Sequence, residues 1–518
     1  MRSVTTLAPR PAAPLRVFLA IALLASGALD LDAQSTPVWK HSVDSPISEG
    51  VVLSNGYVAV RTEGGLTVLS PEDGHELWRK PAVCCFWPAG LTDFAVALRP
   101  DRGAVLDLEH GQEQWRLGDL PIDSMVGARD IPERNLLLAY GSTGKGGMRL
   151  VAASLDSGVV RWRQDTLFSD LPDLAHKWQE IRLSLPPQLL LDSDTTFVVF
   201  PTRGGVMRLD SRTGALLWRI DALARTEPPL GVAYASLTAD SSVILVPFER
   251  HLMAVRSADG KVLWDHPGDF PSRLAQIEIT PHGVLVRGYF KGHAPSPQIK
   301  PFVDLLDPAT GQSRWPKSIG DIDNASAMLV RGDTAWLASQ RRLVAIALGS
   351  GEVRRVGAFK FQGDEFPVAM EEVDGSFIIL SDHNLVGITP SGEVRFQRYY
   401  GRPGSSLFSK IADVGLLVGM SAAIAATGSE PTYRPGPDPV ADPRRIRALQ
   451  ERRYLHILTG AKDTTGTKGF SVVRLEKATG EEVGRVWVNA RSPMYMIDGA
   501  AGVLYLVRDK STLEAFHF

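Results

Sequence analysis

The sequence predicts an all-β fold, a single closed β-propeller of four-stranded blades. A short phrase recurs nine times along the 518 residues, and each copy places a glycine between two alternating apolar runs. That arrangement is the pattern of a tight hairpin. Six copies end in a tryptophan four residues after the glycine. Because one small sheet cannot bury both of its faces, repeated sheets must stack or close into a ring.

The tryptophans of the six complete copies are predicted to wedge between neighbouring sheets, because a large flat indole recurs at a fixed hairpin position. We therefore expect them to be structural, blade-docking residues. The glycine–tryptophan pairs are Gly74–Trp78, Gly111–Trp115, Gly158–Trp162, Gly214–Trp218, Gly260–Trp264 and Gly311–Trp315. Three less complete copies follow at Gly351, Gly392 and Gly480.

The number of blades follows from the hairpins. Nine hairpins and a final unit that ends at Phe518 without a fourth strand indicate ten sheets. Pro37–Lys40 has the pattern of an outer strand and is predicted to complete the last blade, which closes the ring and removes free edges. Since propellers typically have about 4–8 blades, the prediction is eight to ten, with ten favoured by the repeat count. The unit at 404–488 is the weakest because a long insertion interrupts it.

Residues 1–33 are predicted to be a secretory signal peptide. Arg2, Arg10 and Arg16 precede or flank the apolar run at 17–25, and cleavage is expected after Ala33. An uncleaved anchor is the alternative, but the run is short for a bilayer. No cysteine lies near the cut, so a lipid-modified N-terminus is not expected. The mature chain, 34–518, is expected to be periplasmic or otherwise exported, without a transmembrane span; peripheral association with a membrane complex stays open.

Composition and motifs favour a protein that is not an enzyme. The net charge of −2 and evenly spread basic residues do not indicate a nucleic-acid partner. The eleven histidines show no metal-binding spacing, so no metal site is predicted. Asp321, Asp323 and Asn324 offer closely spaced oxygen ligands. A polar loop between blades is the better interpretation of that segment.

The phrase D-x-x-T-G-x-x-x-W, clearest at 209–218 and 306–315, resembles the repeats of the pyrroloquinoline-quinone (PQQ)-like propeller family. The resemblance covers nearly the whole mature chain. The family includes quinone-dependent alcohol and sugar dehydrogenases, and also a non-enzymatic outer-membrane assembly lipoprotein. The resemblance therefore implies the fold and leaves the function open.

The two cysteines, Cys84 and Cys85, are adjacent. In an oxidising compartment such an isolated pair can close on itself, and the alternative is two small buried apolar residues. Resemblance to methanol-dehydrogenase-like quinoproteins implies that this pair would contact PQQ. In those proteins an acidic residue follows the pair, whereas Phe86 follows here, and a set of calcium ligands is not recognisable. No cofactor is therefore the main expectation, with PQQ and calcium as the lesser one.

Three insertions are candidates for binding, because functional residues concentrate on loops held by a rigid frame. They lie at 165–187, where Leu174, Trp178 and Ile181 have helical spacing, at 291–301 and at 420–453. The last insertion ends in a basic stretch that is a candidate partner-binding site, or alternatively a solvated helix. Its arginines are Arg444, Arg445, Arg447, Arg452 and Arg453.

The sequence thus predicts an exported, non-enzymatic propeller that acts as a protein-interaction scaffold. One alternative is a PQQ- and calcium-dependent alcohol or sugar dehydrogenase. Another is carbohydrate or small-molecule binding at the propeller channel.

Overall fold

Short antiparallel strands follow one another along the chain in the computed structural model, and Gln34–Phe518 form one compact unit. The structure describes residues 36–518 without positions 54, 82, 84, 89–93, 99–102, 132–133, 144–147, 166–187, 191–194, 201–205, 221–235, 239, 249, 273, 289–300, 321, 323–327, 340, 364, 402–452, 463–467 and 489–492.

Within these described residues the strands form ten antiparallel sheets, eight with four strands and two with three. The eight complete blades lie within the predicted range of eight to ten. Strand β1 (Trp39–Ser42) belongs to the last sheet. Sheet 1 contains β2 (Ile47–Val52), β3 (Val58–Thr62), β4 (Gly65–Leu69) and β5 (Glu76–Pro81); sheet 2 contains β6 (Cys85–Pro88), β7 (Phe94–Leu98), β8 (Gly103–Asp107) and β9 (Glu113–Arg116).

The next three sheets repeat this order. Sheet 3 contains β10 (Ser124–Ile131), β11 (Leu136–Ser142), β12 (Met148–Ser154) and β13 (Val160–Gln164); sheet 4 contains β14 (Gln188–Leu190), β15 (Thr196–Phe200), β16 (Val206–Asp210) and β17 (Leu216–Ile220); sheet 5 contains β18 (Ser236–Leu237), β19 (Val243–Phe248), β20 (His251–Arg256) and β21 (Val262–Asp265).

The second half of the chain includes both three-stranded sheets. Sheet 6 contains β22 (Leu274–Thr280), β23 (Gly283–Gly288) and β24 (Val303–Leu306); sheet 7 contains β25 (Leu329–Arg331), β26 (Thr334–Ser339), β27 (Arg342–Ala347) and β28 (Val353–Ala358); sheet 8 contains β29 (Ala369–Val373), β30 (Ser376–Leu380), β31 (Asn384–Ile388) and β32 (Val394–Tyr399); sheet 9 contains β33 (Tyr454–Lys462), β34 (Lys468–Glu476) and β35 (Glu482–Val488); sheet 10 contains β36 (Tyr495–Asp498), β37 (Val503–Val507), β38 (Thr512–His517) and β1.

The closing strand is where the sequence predicts it. Strand β1 pairs antiparallel with β38, with Trp39 opposite Ala515, so the two ends of the propeller are hydrogen-bonded into one blade. Lys40 Nζ lies 2.7 Å from the buried carboxylate of Glu514, which also accepts a bond of 2.7 Å from Arg508. Burial alone would raise the pKa of Glu514, but these two hydrogen bonds outweigh it and lower the pKa.

The repeated phrase folds through its aspartate and glycine, as sheet 4 shows. The Asp210 carboxylate accepts the backbone N–H groups of Arg212 and Thr213 at 2.9 Å, and Gly214 takes the positive φ of 69° that closes the turn. A β-bulge follows, because the ladder pairs Leu209 with Leu216 and then Arg208 with Trp218. This extra residue sets the four-residue spacing from the glycine and turns the indole onto the neighbouring sheet.

Each indole packs on the hairpin glycine of the next sheet. A Cβ atom placed on Gly214 would lie 2.4 Å from the ring of Trp162, and Trp162 Nε1 donates to the Ser211 carbonyl at 2.8 Å. The same contact with a following glycine, and the same kind of bond to a backbone carbonyl, recur around the ring. The other pairs are Trp39 on Gly74, Trp78 on Gly111, Trp115 on Gly158, Trp218 on Gly260, Trp264 on Gly311 and Trp315 on Gly351.

The less complete repeats solve the junctions differently. Phe396 takes the place of the indole against Gly480 between sheets 8 and 9. Between sheets 7 and 8 a Cβ on Gly392 would lie 2.3 Å from the Val356 carbonyl oxygen, so two backbones meet directly. Apolar clusters between successive sheets extend this packing inward, as where Trp336 of sheet 7 contacts Phe377 of sheet 8 at 4.9 Å between ring centroids.

The two three-stranded sheets have different causes. In sheet 6 the chain after the hairpin makes only isolated bridges among described residues, Leu306 with Ser313 and Val303 with Ile319. Sheet 9 corresponds to the unit at 404–488 that the insertion interrupts. The residues that precede its first strand, 402–452, lie outside the described part of the chain.

Replacing Gly214 by alanine tests the wedge. The new methyl group meets the Trp162 ring and φ is positive, so Gly214→Ala is expected to lower the free energy of unfolding by about 2–4 kcal/mol. Gly375 provides the matched control, because its φ is 73° and nothing lies within 4 Å of an added Cβ. Gly375→Ala should cost only about 1 kcal/mol. Chemical unfolding of both variants measures the difference, and equal losses would contradict the wedge.

Candidate functional site

The outer strands of sheets 3, 4 and 5 carry an exposed apolar band. Its members follow the hairpin glycines directly, and their exposed fractions run from 38% at Leu263 to 62% at Val159. A contiguous exposed apolar surface of this kind marks an interaction site more often than isolated exposed residues do. The band consists of Val159, Val160, Leu216, Leu217, Val262 and Leu263.

The position of the band follows from the hairpin and bulge. The tryptophan turns toward the next sheet, so the two or three residues before it stay on the free outer edge, exposed in all three strands. Other sheets place polar residues or a single valine at these positions, for example Glu113 and Gln114 in sheet 2 and Glu481 and Glu482 in sheet 9. Three adjacent sheets thus carry apolar side chains that the described fold does not bury.

The three hairpins that form the band are neighbours. Trp162 of sheet 3 packs on Gly214 of sheet 4, and Trp218 of sheet 4 packs on Gly260 of sheet 5. The side chain of Gln164 also donates to the Gly214 carbonyl at 2.6 Å. With face-to-face sheets about 10 Å apart, the band extends over roughly 20 Å.

The predicted basic site is only partly within the described residues. Arg453 is exposed, and its Nε lies 2.9 Å from the Glu476 carboxylate, so this arginine already has an acidic partner. Its guanidinium also lies 5.3 Å from the centre of the Tyr454 ring. The other four arginines, Arg444, Arg445, Arg447 and Arg452, lie outside the described residues, and partner binding there stays a prediction.

The predicted cysteine pair is similarly divided. Cys85 begins β6, the first strand of sheet 2, which is the type of strand predicted to line the channel. Cys84 lies outside the described residues, as do Asp321, Asp323 and Asn324 and positions 166–187 and 291–300 of two insertions. Contact of the cysteines with PQQ therefore stays a prediction.

Sequence reasoning missed one cluster of potential ligands. Glu365, Asp382 and His383 bring one oxygen or nitrogen atom each to within 4.8 Å of one another. Glu365 is buried and lies in the chain between β28 and β29, whereas Asp382 and His383 lie in the hairpin between β30 and β31. The residues are 17 and 18 positions apart and form no motif, so no sequence signal could have found them.

Hydrogen bonds already occupy the Glu365 carboxylate. Oε2 accepts the Ser381 hydroxyl at 2.5 Å, the His383 backbone N–H at 2.9 Å and the Asn384 side chain at 2.8 Å, while Oε1 lies 2.8 Å from His383 Nδ1. A buried carboxylate needs such donors to offset its lost hydration. The arrangement is therefore a clip that fastens the connection between sheets 7 and 8 to the β30–β31 hairpin.

A second polar cluster lies between sheets 9 and 10. His456 Nε2 is buried and finds no hydrogen-bond partner in the described part of the chain. Its ring centroid lies 4.9 Å from that of Phe518, and Arg474 stacks 3.8 Å from the centre of the Tyr454 ring. Burial, followed by the charges of Arg474 and Lys477, lowers the pKa of His456 to about 4. The imidazole is neutral at pH 7 as a result.

Searching the described residues for helices long and apolar enough to cross a membrane identifies none.

The repeats and their closure define a β-propeller of PQQ-like repeats. The family profile described as Outer membrane protein assembly factor BamB matches residues 26–170 and 101–355, more than half of the chain, and the chain belongs to this family. The resemblance predicted from the D-x-x-T-G-x-x-x-W phrase is thereby confirmed.

Individual relatives are more distant. The outer membrane protein assembly factor BamB of Burkholderia pseudomallei (strain K96243) is 26% identical over 277 residues, which cover 52% of this chain and 68% of that protein. The crystal structure of BamB from Moraxella catarrhalis shares 12% identity over 93% of this chain and 100% of its own, with a TM-score of 0.32. Quinohemoprotein alcohol dehydrogenase from Comamonas testosteroni shares 14% over 70% and 73%, with a TM-score of 0.33. At these TM-scores, neither structure distinguishes a scaffold from a dehydrogenase.

Glu365→Gln tests the clip. The amide presents a donor where donors already converge, so the free energy of unfolding is expected to fall by about 1–3 kcal/mol. Glu393→Gln, at an exposed position of sheet 8, is the control and should change stability little. Thermal unfolding with and without Zn²⁺ is the measurement. A Zn²⁺-dependent rise in melting temperature that only the wild type shows would instead make the cluster a metal site.

The lowered pKa of His456 predicts acid destabilisation. An unfolded histidine takes up a proton near pH 6.5, whereas the folded one does so only near pH 4, so stability present above pH 6.5 is lost as the pH falls toward 4. The expected loss is up to about 3 kcal/mol. Urea unfolding across this range should show it in the wild type and in the exposed control His517→Gln. A His456→Phe protein with the same slope would contradict the assignment.

Proposed function

We propose that this protein is an exported, non-enzymatic scaffold that binds a protein partner through the apolar band. The observation that carries the proposal is the exposure of paired apolar side chains on three adjacent outer strands. Membership of a family described as an outer membrane protein assembly factor supports a role in a protein complex. The partner and its place in such a complex, including peripheral association with a membrane, belong to the proposal.

The band has the chemistry of the centre of a protein interface. Covering half-exposed valine and leucine side chains contributes roughly 1 kcal/mol each, which is useful only where several lie together. Charged residues border the band, among them Arg163 and Lys261, which are exposed. An apolar centre with a polar rim is the usual composition of a specific interface.

Export is the second part of the proposal. The basic and apolar pattern of residues 1–33 supports it. The description of the family as an outer membrane assembly factor is consistent with a periplasmic location.

The alternatives have less support. A PQQ- and calcium-dependent dehydrogenase depends on the pair Cys84–Cys85, for which the described residues offer no contacts. Carbohydrate binding at the channel needs accessible aromatic rings, but the six predicted tryptophans and Trp39 and Trp336 are all buried. Trp487 is half-buried.

The test places charge in the band. Leu216→Glu combined with Leu217→Glu should abolish the complex because a carboxylate cannot be buried against an apolar partner surface without a counter-charge. Val394→Glu combined with Val483→Glu is the matched control, since both valines are exposed at equivalent hairpin positions of other sheets. The measurement is the yield of one defined cross-linked complex in intact cells, with the partner identified from the wild-type sample.

The outcomes separate the hypotheses. A complex that wild type and control share and that the double leucine variant lacks supports the proposal. Equal yields in all three proteins would remove the band from it. Calorimetric binding of PQQ that depends on calcium, and is lost on Cys84→Ser with Cys85→Ser, would establish the dehydrogenase alternative.

A further inference from the structure

Sheets 7 and 8 carry a group of exposed cations that differs from the rest of the outer surface. Its five members are exposed and form no ion pair with any described residue. We call this group the basic edge; it consists of Arg341, Arg342, Arg354, Lys360 and Arg398.

Outer strands elsewhere neutralise their arginines locally. Arg79 lies 2.7 Å from Glu76, and Arg485 lies 2.7 Å from Glu482, each three residues away on the same strand. Arg116 with Glu113 and Arg256 with Asp259 repeat this arrangement in sheets 2 and 5. The basic edge lacks such pairs, although the chain as a whole carries a net charge of −2. A local excess of one charge raises the potential there and attracts the opposite charge.

The members lie next to one another through the strand register. Arg342 opposes Ala358 in the β27–β28 ladder, and the Arg341 carbonyl accepts the Phe359 N–H at 3.0 Å, which places both arginines beside Lys360. The Lys360 carbonyl in turn accepts the side chain of Gln397, the neighbour of Arg398 in sheet 8. Four cations therefore share one end of two adjacent blades.

Arg354 extends the group along the outer strand. It opposes Ala345 on β28, and six residues separate it from Lys360, or roughly 20 Å at the rise of an extended strand. The acidic groups nearby do not neutralise the edge: Glu365 is buried against His383, and Glu352 is exposed without an ion pair to Arg354. Asp382 lies in the β30–β31 hairpin and makes contacts of its own.

We propose that the basic edge binds an extended acidic segment of a partner polypeptide. Five cations spread over about 20 Å match a linear polyanion rather than a single phosphate, which needs donors that converge on one point. The negative net charge of the chain disfavours a nucleic acid, whose charge density is far higher than that of a peptide. This inference deepens the proposed scaffold function, on which it rests, by giving a second surface and the chemistry of its ligand.

The test uses the full mature chain and a fluorescein-labelled peptide of eight glutamates. Wild type should bind this peptide with an affinity that falls as salt rises, because exposed charges are screened. Arg342→Glu combined with Lys360→Glu should weaken binding by at least about tenfold. Lys317→Glu combined with Lys510→Glu makes the same change in net charge at exposed lysines elsewhere and should stay within about twofold.

Further arms fix the interpretation. The Leu216→Glu, Leu217→Glu protein should bind the peptide as the wild type does, so loss of the apolar-band complex and loss of peptide binding can be told apart. If charge reversal impairs folding by circular dichroism, Arg342→Gln with Lys360→Gln replaces it and should still lower affinity. Absence of peptide binding by the wild type, or equal loss in the lysine control, would overturn the proposal. So would binding of phosphatidylglycerol vesicles or a single-stranded oligonucleotide in its place.

Discussion

The contact between an indole and the hairpin glycine of the next sheet is the constraint on which the rest of the structure depends. It requires three things of each repeat: a glycine with positive φ, an aspartate or equivalent that closes the turn, and a bulge that turns the tryptophan outward from its own sheet. Because Trp162 fills the space where Gly214 would otherwise carry a side chain, neither residue can vary without the other. The recurrence of the pair along the chain is the trace of this coupling.

The wedge also explains which parts of the surface are free to serve binding. Once the tryptophan is buried, the residues between it and the glycine have no structural task, and they can be polar or apolar without affecting the ring. Glu113 in sheet 2 and Leu216 in sheet 4 occupy this type of position with opposite character. An apolar residue there costs hydration and gains nothing within the described fold, so its repetition in three adjacent sheets requires an external partner.

Much of the fold could be predicted because its information is local and periodic. The hairpin glycines, the tryptophans and the closing strand at Pro37–Lys40 are recognisable within windows of about ten residues. The candidate sites were less predictable. Glu365 and His383 meet across two loops without any motif, and Leu216 and Leu217 have the same apolar letters as a buried strand. Only their burial, which depends on the bulge and on the neighbouring sheet, separates an exposed band from a core.

The junction between sheets 7 and 8 shows what happens when the wedge is lost. No indole fills it; Gly357 and Gly392 approach so closely that a Cβ on Gly357 would lie 2.7 Å from the Gly392 oxygen, and the contact of Trp336 with Phe377 supplies aromatic packing further inward. The bulge of β28 moves toward the end of the strand, between Leu343 and Val344 in its partner, and Arg354 comes to oppose Ala345. Sheet 5 has Trp264 opposite Ala254 in the equivalent ladder. An exposed cation therefore replaces a buried indole at the one outer strand of the basic edge, which links the altered junction to the altered surface.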